Sequence, residues 1–233
     1  MALLSSLFDG FLSLFYPEVC AACGTGLIRH EKTVCLTCLH TLPKTGYELV
    51  ADNPLARIFW GRIPFEAVAA TFFFSKQGKV QHLIHELKYK SNKEAGYFLG
   101  EQMGENLREA PLFESVDYLI PVPLHPKRQH QRGYNQSEVI AQGIKQTFDV
   151  PIAADVLYRM IATSTQTRKS RQARWENVKQ IFALKNQQKL EGKHVLLLDD
   201  VITTGSTLEA CGAVLQTIPG IKISVATAAC AVS

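Results

Sequence analysis

Residues 194–207 read HVLLLDDVITTGST, and few folds accommodate such a run. Val195, Leu196, Leu197 and Leu198 are apolar without interruption, so they read as a strand covered on both faces. A strand of that kind belongs to a mainly parallel sheet with helices packed on each side. It ends in two adjacent carboxylates, Asp199 and Asp200, and then in the hydroxyl-rich turn Thr203, Thr204, Gly205, Ser206 and Thr207. Gly205 permits a backbone turn that most residues avoid. A helix predicted over Thr207–Ile218 starts there, so successive N–H groups can point at one anion. The turn is chemically a phosphate cradle, distinct from the nucleotide-hydrolase P-loop because G-x4-G-K is absent. Two neighbouring carboxylates repel and need water, hydroxyl donors or a divalent cation. A sugar phosphate answers both halves, with its phosphate in the turn and its vicinal hydroxyls on the carboxylates. Helix capping alone would use one acceptor and leave the density of donors unexplained.

The remaining pattern alternates strand and helix. Strands are expected at Ala67–Phe74, Val116–Val122, Asp155–Tyr158, Ile181–Leu184 and Ile221–Ala229. Helices are expected around Val80–Leu87, Lys93–Leu107 and Ser137–Phe148. The face of the first helix opposite its apolar residues carries Lys79, His82, Lys88 and Lys90. His82 and His85 are read as surface residues, with no third metal ligand evident. Right-handed crossovers then give an α/β fold whose ligand crevice lies beyond the carboxyl ends of the strands, bordered by the loops after residues 122 and 198. The predicted boundary falls in the connector Leu42–Pro64, dividing the chain into an N-terminal part, 1–60, and a main domain, 61–233.

At 233 residues, 46% hydrophobic and 20% charged, the chain can bury one substantial core with a small appended module. A net charge of +4 admits anionic ligands without requiring nucleic acid. The apolar stretch Leu3–Phe15 is shorter than the roughly 20 residues of a membrane span and contains Asp9, so it reads as an amphipathic helix. With no basic leader or small-residue cleavage site, the expected compartment is cytoplasmic and reducing. Cys20, Cys23, Cys35 and Cys38 form C-x2-C-x11-C-x2-C. In a reducing compartment two such knuckles favour tetrahedral thiolate ligation of structural Zn2+ over disulfides, with an iron–sulfur cluster or redox dithiols as alternatives. Cys211 and Cys230, in apolar surroundings, read as small core residues.

VLLLDDVITTGST is similar to the signature of type I phosphoribosyltransferases, in which the acidic pair and the Thr-Thr-Gly loop hold the ribose and 5'-phosphate of phosphoribosyl pyrophosphate. Together with PVPLHPKRQHQRGYNQSEVIA (121–141), TQTRKSRQARWENVKQIF (165–182) and the four-cysteine module, nearly the whole chain resembles the ComF family of competence-associated phosphoribosyltransferase-like proteins. The resemblance implies a type I phosphoribosyltransferase-like fold with a small N-terminal zinc module. It also implies Mg2+ bound with phosphoribosyl pyrophosphate, and Asp199 and Asp200 as the catalytic pair if transfer occurs. Lys127, Arg128 and Arg132 would neutralise pyrophosphate, and Arg168, Arg171 and Arg174 would arrive on a closing loop. Pro123 and Pro126 remove two backbone donors from the presumed pyrophosphate turn, and no acceptor-recognising hood is evident unless residues 42–64 or the cysteine module serve.

HPKRQHQR (125–132) and RKSRQAR (168–174) are dense in cations, with Tyr134 and Trp175 close behind. That mixture suits a single-stranded backbone with stacked bases, although the same arginines could be solvated loop residues serving only pyrophosphate. The ComF resemblance implies handling of single-stranded DNA alongside the DNA-uptake machinery during natural transformation. Two functions therefore stand: a phosphoribosyl pyrophosphate-binding protein that handles single-stranded DNA, and an active phosphoribosyltransferase acting on an unknown nitrogenous acceptor.

Overall fold

In the computed structural model, residues 18–160 and 181–231 are described. The chain forms, in order, α1 (Leu36–Thr41), α2 (Pro54–Ile58), β1 (Val68–Phe74), α3 (Lys79–Tyr89), α4 (Lys93–Arg108), β2 (Tyr118–Pro121), α5 (Pro126–Arg132), α6 (Gln136–Thr147), β3 (Leu157–Arg159), β4 (Phe182–Leu184), β5 (His194–Ile202), α7 (Ser206–Leu215) and β6 (Lys222–Ala231). Strands β1, β6, β5 and β2 lie side by side in that order, and every pairing is parallel. The expected parallel sheet with helices on both faces is thus the observed architecture.

The apolar run at 195–198 feeds two cores because alternate residues of a strand point to opposite faces. Leu196 and Leu198 join the core built with α3, α4 and α6, whereas Val195 and Leu197 join the one built with α2, α7 and the small β3–β4 sheet. Cys211 and Cys230 are buried in the second core, as expected of small apolar residues. β3 and β4 pair antiparallel, Leu157 opposite Leu184, so the two short strands expected on either side of the polar segment do form and meet each other. Arg168, Arg171, Arg174 and Trp175 lie outside the described residues, as does the Leu3–Phe15 stretch. Among the described residues, no helix is long and apolar enough to cross a membrane.

Two segments depart from the expected pattern. HPKRQHQR, read as a basic loop after a proline-broken turn, is helical from Pro126 to Arg132. Pro126 occupies the first helical turn, where an N–H has no intrahelical acceptor to lose, and His125 Nδ1 accepts the Lys127 N–H at 3.1 Å. The connector is also ordered. Asn53 caps α2 by accepting from Leu55 and Ala56 N–H, and its own amide donates to the carbonyls of Tyr47, Val50 and Val68. Upstream, Thr45 N–H bonds to the Thr71 carbonyl and Phe73 N–H to that of Pro43, which covers the free edge of β1.

The tightest packing joins α4 to α6 through glycines. A methyl group at Gly100 would overlap the Ile140 carbonyl oxygen and lie 2.8 Å from Gly143 Cα. This backbone-to-backbone approach locks the middle of α6 onto α4. Gly100→Ala should therefore destabilise the protein by about 1–3 kcal/mol, as overpacking of rigid backbone does. A lowered urea midpoint with unchanged slope is the expected readout, and an unchanged midpoint would show that the helices can part at no cost.

Candidate functional site

The opening motif makes a strand, a turn and a helix start in direct succession. β5 runs through Asp199 and Asp200 to Ile202, and α7 begins at Ser206. Gly205 sits between them at φ 75, the left-handed region that favours glycine. The Phe59 ring, just after α2, lies directly behind it, and a methyl at 205 would come 2.7 Å from two ring carbons. Phe59 is held edge-on to Phe65 with centroids 4.8 Å apart, and Arg62 reaches Glu209 at 3.3 Å. The connector thus braces the turn from behind. The turn's front is open: Thr203, Thr204, Ser206 and Thr207 are all exposed. Thr204 and Ser206 hydroxyls lie 2.9 Å apart. Backbone N–H groups of the first turn of α7 add donors with no intrahelical acceptor. A concavity of about 40 Å³ is lined by Asp199 and residues 201–208.

Parallel pairing brings the β2 loop to the same place. Val122 N–H donates to the Leu198 carbonyl at 2.8 Å, so the turn leading to α5 starts beside the acidic pair. The loops after residues 122 and 198 therefore leave the sheet side by side. Lys127 and Arg128 project from exposed positions on α5. Arg132 is engaged elsewhere: it donates to Gln136 Oε1 at 2.7 Å and lies over the Tyr89 ring at 5.4 Å.

RGYNQS is the joint of this corner. Gly133, at φ 77, ends α5, and Tyr134 donates its hydroxyl to the Leu87 carbonyl. Buried Asn135 accepts the Ser137 N–H at 3.1 Å while its amide donates to the Val122 carbonyl at 3.0 Å. Ser137 then donates its hydroxyl to Asp199 Oδ1 at 3.2 Å. Asn135 followed by Glu138 is a capping-box pattern, so this start of α6 was legible in sequence.

Lys88 is the residue that sequence reasoning misplaced. Expected on the outer face of α3, its ammonium instead pairs with Asp200 Oδ2 at 2.9 Å, in a setting where both side chains are largely buried. The position follows Leu87, whose burial draws the end of α3 against the sheet. No local pattern marks a contact between residues so far apart in the chain. Asp199 has hydrogen bonds from Ser137 and from the Asp200 N–H, 2.9 Å away. Burial, reinforced by the charge of Asp200, nevertheless pushes its carboxyl up to about 7.

At the N-terminal module, Cys20, Cys23, Cys35 and Cys38 place their sulfur atoms within 4.8 Å of one another, so the four could hold a metal. The Cys35 N–H donates to Cys20 Sγ at 3.3 Å, and Gly24, at φ 77, turns the first knuckle. The module docks on α3 through His82 Nδ1 and the Ala22 carbonyl, 3.0 Å apart, and through Lys79 Nζ and Thr41 Oγ1, 2.6 Å apart. His82 and His85 are both exposed, as expected.

These features define the class. Residues 135–230, from Asn135 through the hydroxyl-rich turn into β6, match the phosphoribosyl transferase domain. Its relatives bear competence-related names: DNA utilization protein YhgH of Shigella flexneri is 28% identical over 84% of this chain and 83% of its own. Competence protein F of Haemophilus influenzae is 28% identical over 84% of this chain and 78% of its own, which bears out the ComF resemblance. Among solved structures, the glutamine phosphoribosylpyrophosphate amidotransferase of B. subtilis aligns with 58% of this chain and 26% of its own at 20% identity and a TM-score of 0.43.

The titration of Asp199 yields a stability prediction. Its folded carboxyl holds a proton to higher pH than the unfolded one, so the folded state binds more protons between pH 3.8 and about 7 and loses stability as pH rises through that window. Asp199→Asn removes the penalty while keeping an acceptor for Ser137. The variant should gain on the native chain from pH 5 to pH 8, by on the order of 2 kcal/mol at the upper end, about half the value of so large a shift because the carboxyl keeps part of its hydration. Denaturant unfolding at the two pH values measures this, and a pH-independent difference would contradict it.

Proposed function

We propose that this protein binds phosphoribosyl pyrophosphate in the crevice beyond the carboxyl ends of β2 and β5, and that it serves the handling of single-stranded DNA. The observation that carries the first half is the acidic pair held immediately before an exposed, hydroxyl-rich helix start. Ribose hydroxyls would donate to Asp199 and Asp200, and the 5'-phosphate would accept from Thr203, Thr204, Gly205, Ser206 and Thr207. Lys127 and Arg128 would face the pyrophosphate, with Arg132, Arg168, Arg171 and Arg174 as further candidate cations. A Mg2+ ion carried by the pyrophosphate would supply charge neutralisation that carboxylate oxygens at this position suit. In this reading residues 1–60 form the metal module and connector, and residues 61–233 the ligand-binding domain. The names borne by the relatives support the DNA half, and a polyanionic strand would be repelled by Asp199 and Asp200, so the strand would use another face.

The four sulfurs suit zinc. Tetrahedral thiolate bonds of about 2.3 Å set sulfur–sulfur edges near ~3.8 Å, and Cys23 and Cys35 already stand 3.9 Å apart. Four thiolates leave no open position, so the metal would hold the module together and do no chemistry. Reduced thiols of this kind fit a cytoplasmic setting.

A second reading, transfer to a nitrogenous acceptor, is favoured by Asp199. A carboxyl pushed up to about 7 can take a proton near neutral pH, as an attacking nitrogen would require.

Calorimetric titration with phosphoribosyl pyrophosphate and Mg2+ should give saturable binding to the native chain and loss of at least tenfold in affinity for Asp199→Asn/Asp200→Asn. Absent heat with the native chain, or equal binding by the double variant, refutes the site. Metal analysis of purified protein should find zinc at about one ion per chain, lost on Cys20→Ser/Cys23→Ser together with the cooperative unfolding of the module. Stoichiometric iron in place of zinc would overturn that assignment.

A further inference from the structure

We propose that the exposed end of α3 and the adjoining face of α5 form the single-strand contact surface, with Tyr89 as its base-stacking platform. This rests on the DNA-handling reading above and specifies where it takes place. Sequence proximity pointed to Tyr134 as the aromatic partner of the basic segment. The structure withdraws it: the Tyr134 hydroxyl is spent on the Leu87 carbonyl and the ring packs partly buried beneath the α3–α4 turn. The ring brought to the basic helix instead belongs to Tyr89, 67% exposed at the end of α3.

The ring's surroundings are cationic and aromatic. Its cationic neighbour comes from the basic segment itself, since the Arg132 guanidinium stands over it at 5.4 Å. Arg128 is exposed one helical turn earlier on α5. His85, one turn before Tyr89 on α3, adds a second exposed aromatic ring with centroids 4.9 Å apart. Beyond the turn, Lys93 lies over the Tyr134 ring at 5.2 Å and is exposed. The carboxylate on this stretch of α3, Glu86, is paired with Lys90 at 2.8 Å, which mutes its repulsion of a strand.

Aromatic faces interleaved with cations suit single strands, because every base has a π-face and every nucleotide a phosphate. A duplex keeps its bases stacked and offers Tyr89 nothing to stack on. Tyr89 is exposed, whereas its neighbour Lys88 turns inward and pairs with Asp200.

The test uses the full chain and a labelled oligothymidylate, read by fluorescence anisotropy at low salt and then across a salt series. Tyr89→Ala should weaken binding by about 5- to 150-fold, the range of one lost base stack. Tyr89→Phe should bind as the native chain does. Arg132→Ala should lower the salt slope by about 0.7, the value of one phosphate contact on a single strand. The heat of phosphoribosyl pyrophosphate binding should be unchanged in Tyr89→Ala, an exposed substitution outside the crevice. Equal strand affinity of Tyr89→Ala and the native chain overturns this surface and leaves DNA handling to another face. Loss of phosphoribosyl pyrophosphate heat in Tyr89→Ala also overturns it, by making the ring part of the crevice. Absence of any strand binding by the native chain overturns both the surface and the DNA-handling reading.

Discussion

Two carboxylates at the end of a central strand impose the main physical constraint on this protein. A charge moved from water into a half-buried position is costly unless a partner or hydrogen bond compensates it. Asp200 is compensated by Lys88 from α3, and Asp199 only in part, by Ser137 from α6 and by the Asp200 N–H. Both helices must therefore end at this corner of the sheet. The glycine contact between α4 and α6, the cap at Asn135 and the burial of Leu87 all serve that placement.

The residual strain at Asp199 is informative in itself. A chain selected only for stability would replace a carboxyl pushed up to about 7 by an amide. Retaining it beside an open donor-rich turn is the arrangement expected where a ligand supplies the missing compensation. Bracing of Gly205 by Phe59 from behind keeps that turn shaped when nothing is bound. The connector that carries Phe59 also covers the edge of β1 through Pro43 and Thr45.

The cationic side of the molecule follows a different logic. On α5 a run of basic residues that would repel one another in a compact loop is spread around a short helix. Arg132 finds the Tyr89 ring and Gln136 there. Residues dense in sequence are thus separated in space, Lys127 and Arg128 exposed on the helix and Arg132 against the end of α3.

Sequence alone determined the parallel sheet, the strand–turn–helix cradle, the left-handed glycine within it, the cysteine cluster and the buried character of Cys211 and Cys230. Each of these depends on periodicity, spacing or the conformational range of one residue type, which are local properties. The helical state of residues 126–132 was less legible, because proline signals a break unless its place in the first turn is known. Lys88, Phe59 and Tyr89 were decided only by the tertiary structure. A lysine on a polar helix face, a phenylalanine in a connector and a tyrosine at a helix end carry no local mark of their partners, residues 200, 205 and 132. Those pairings arise when α3 and α2 dock their buried faces on the sheet and β2 delivers α5 beside the end of α3, and no window of neighbouring residues contains that information.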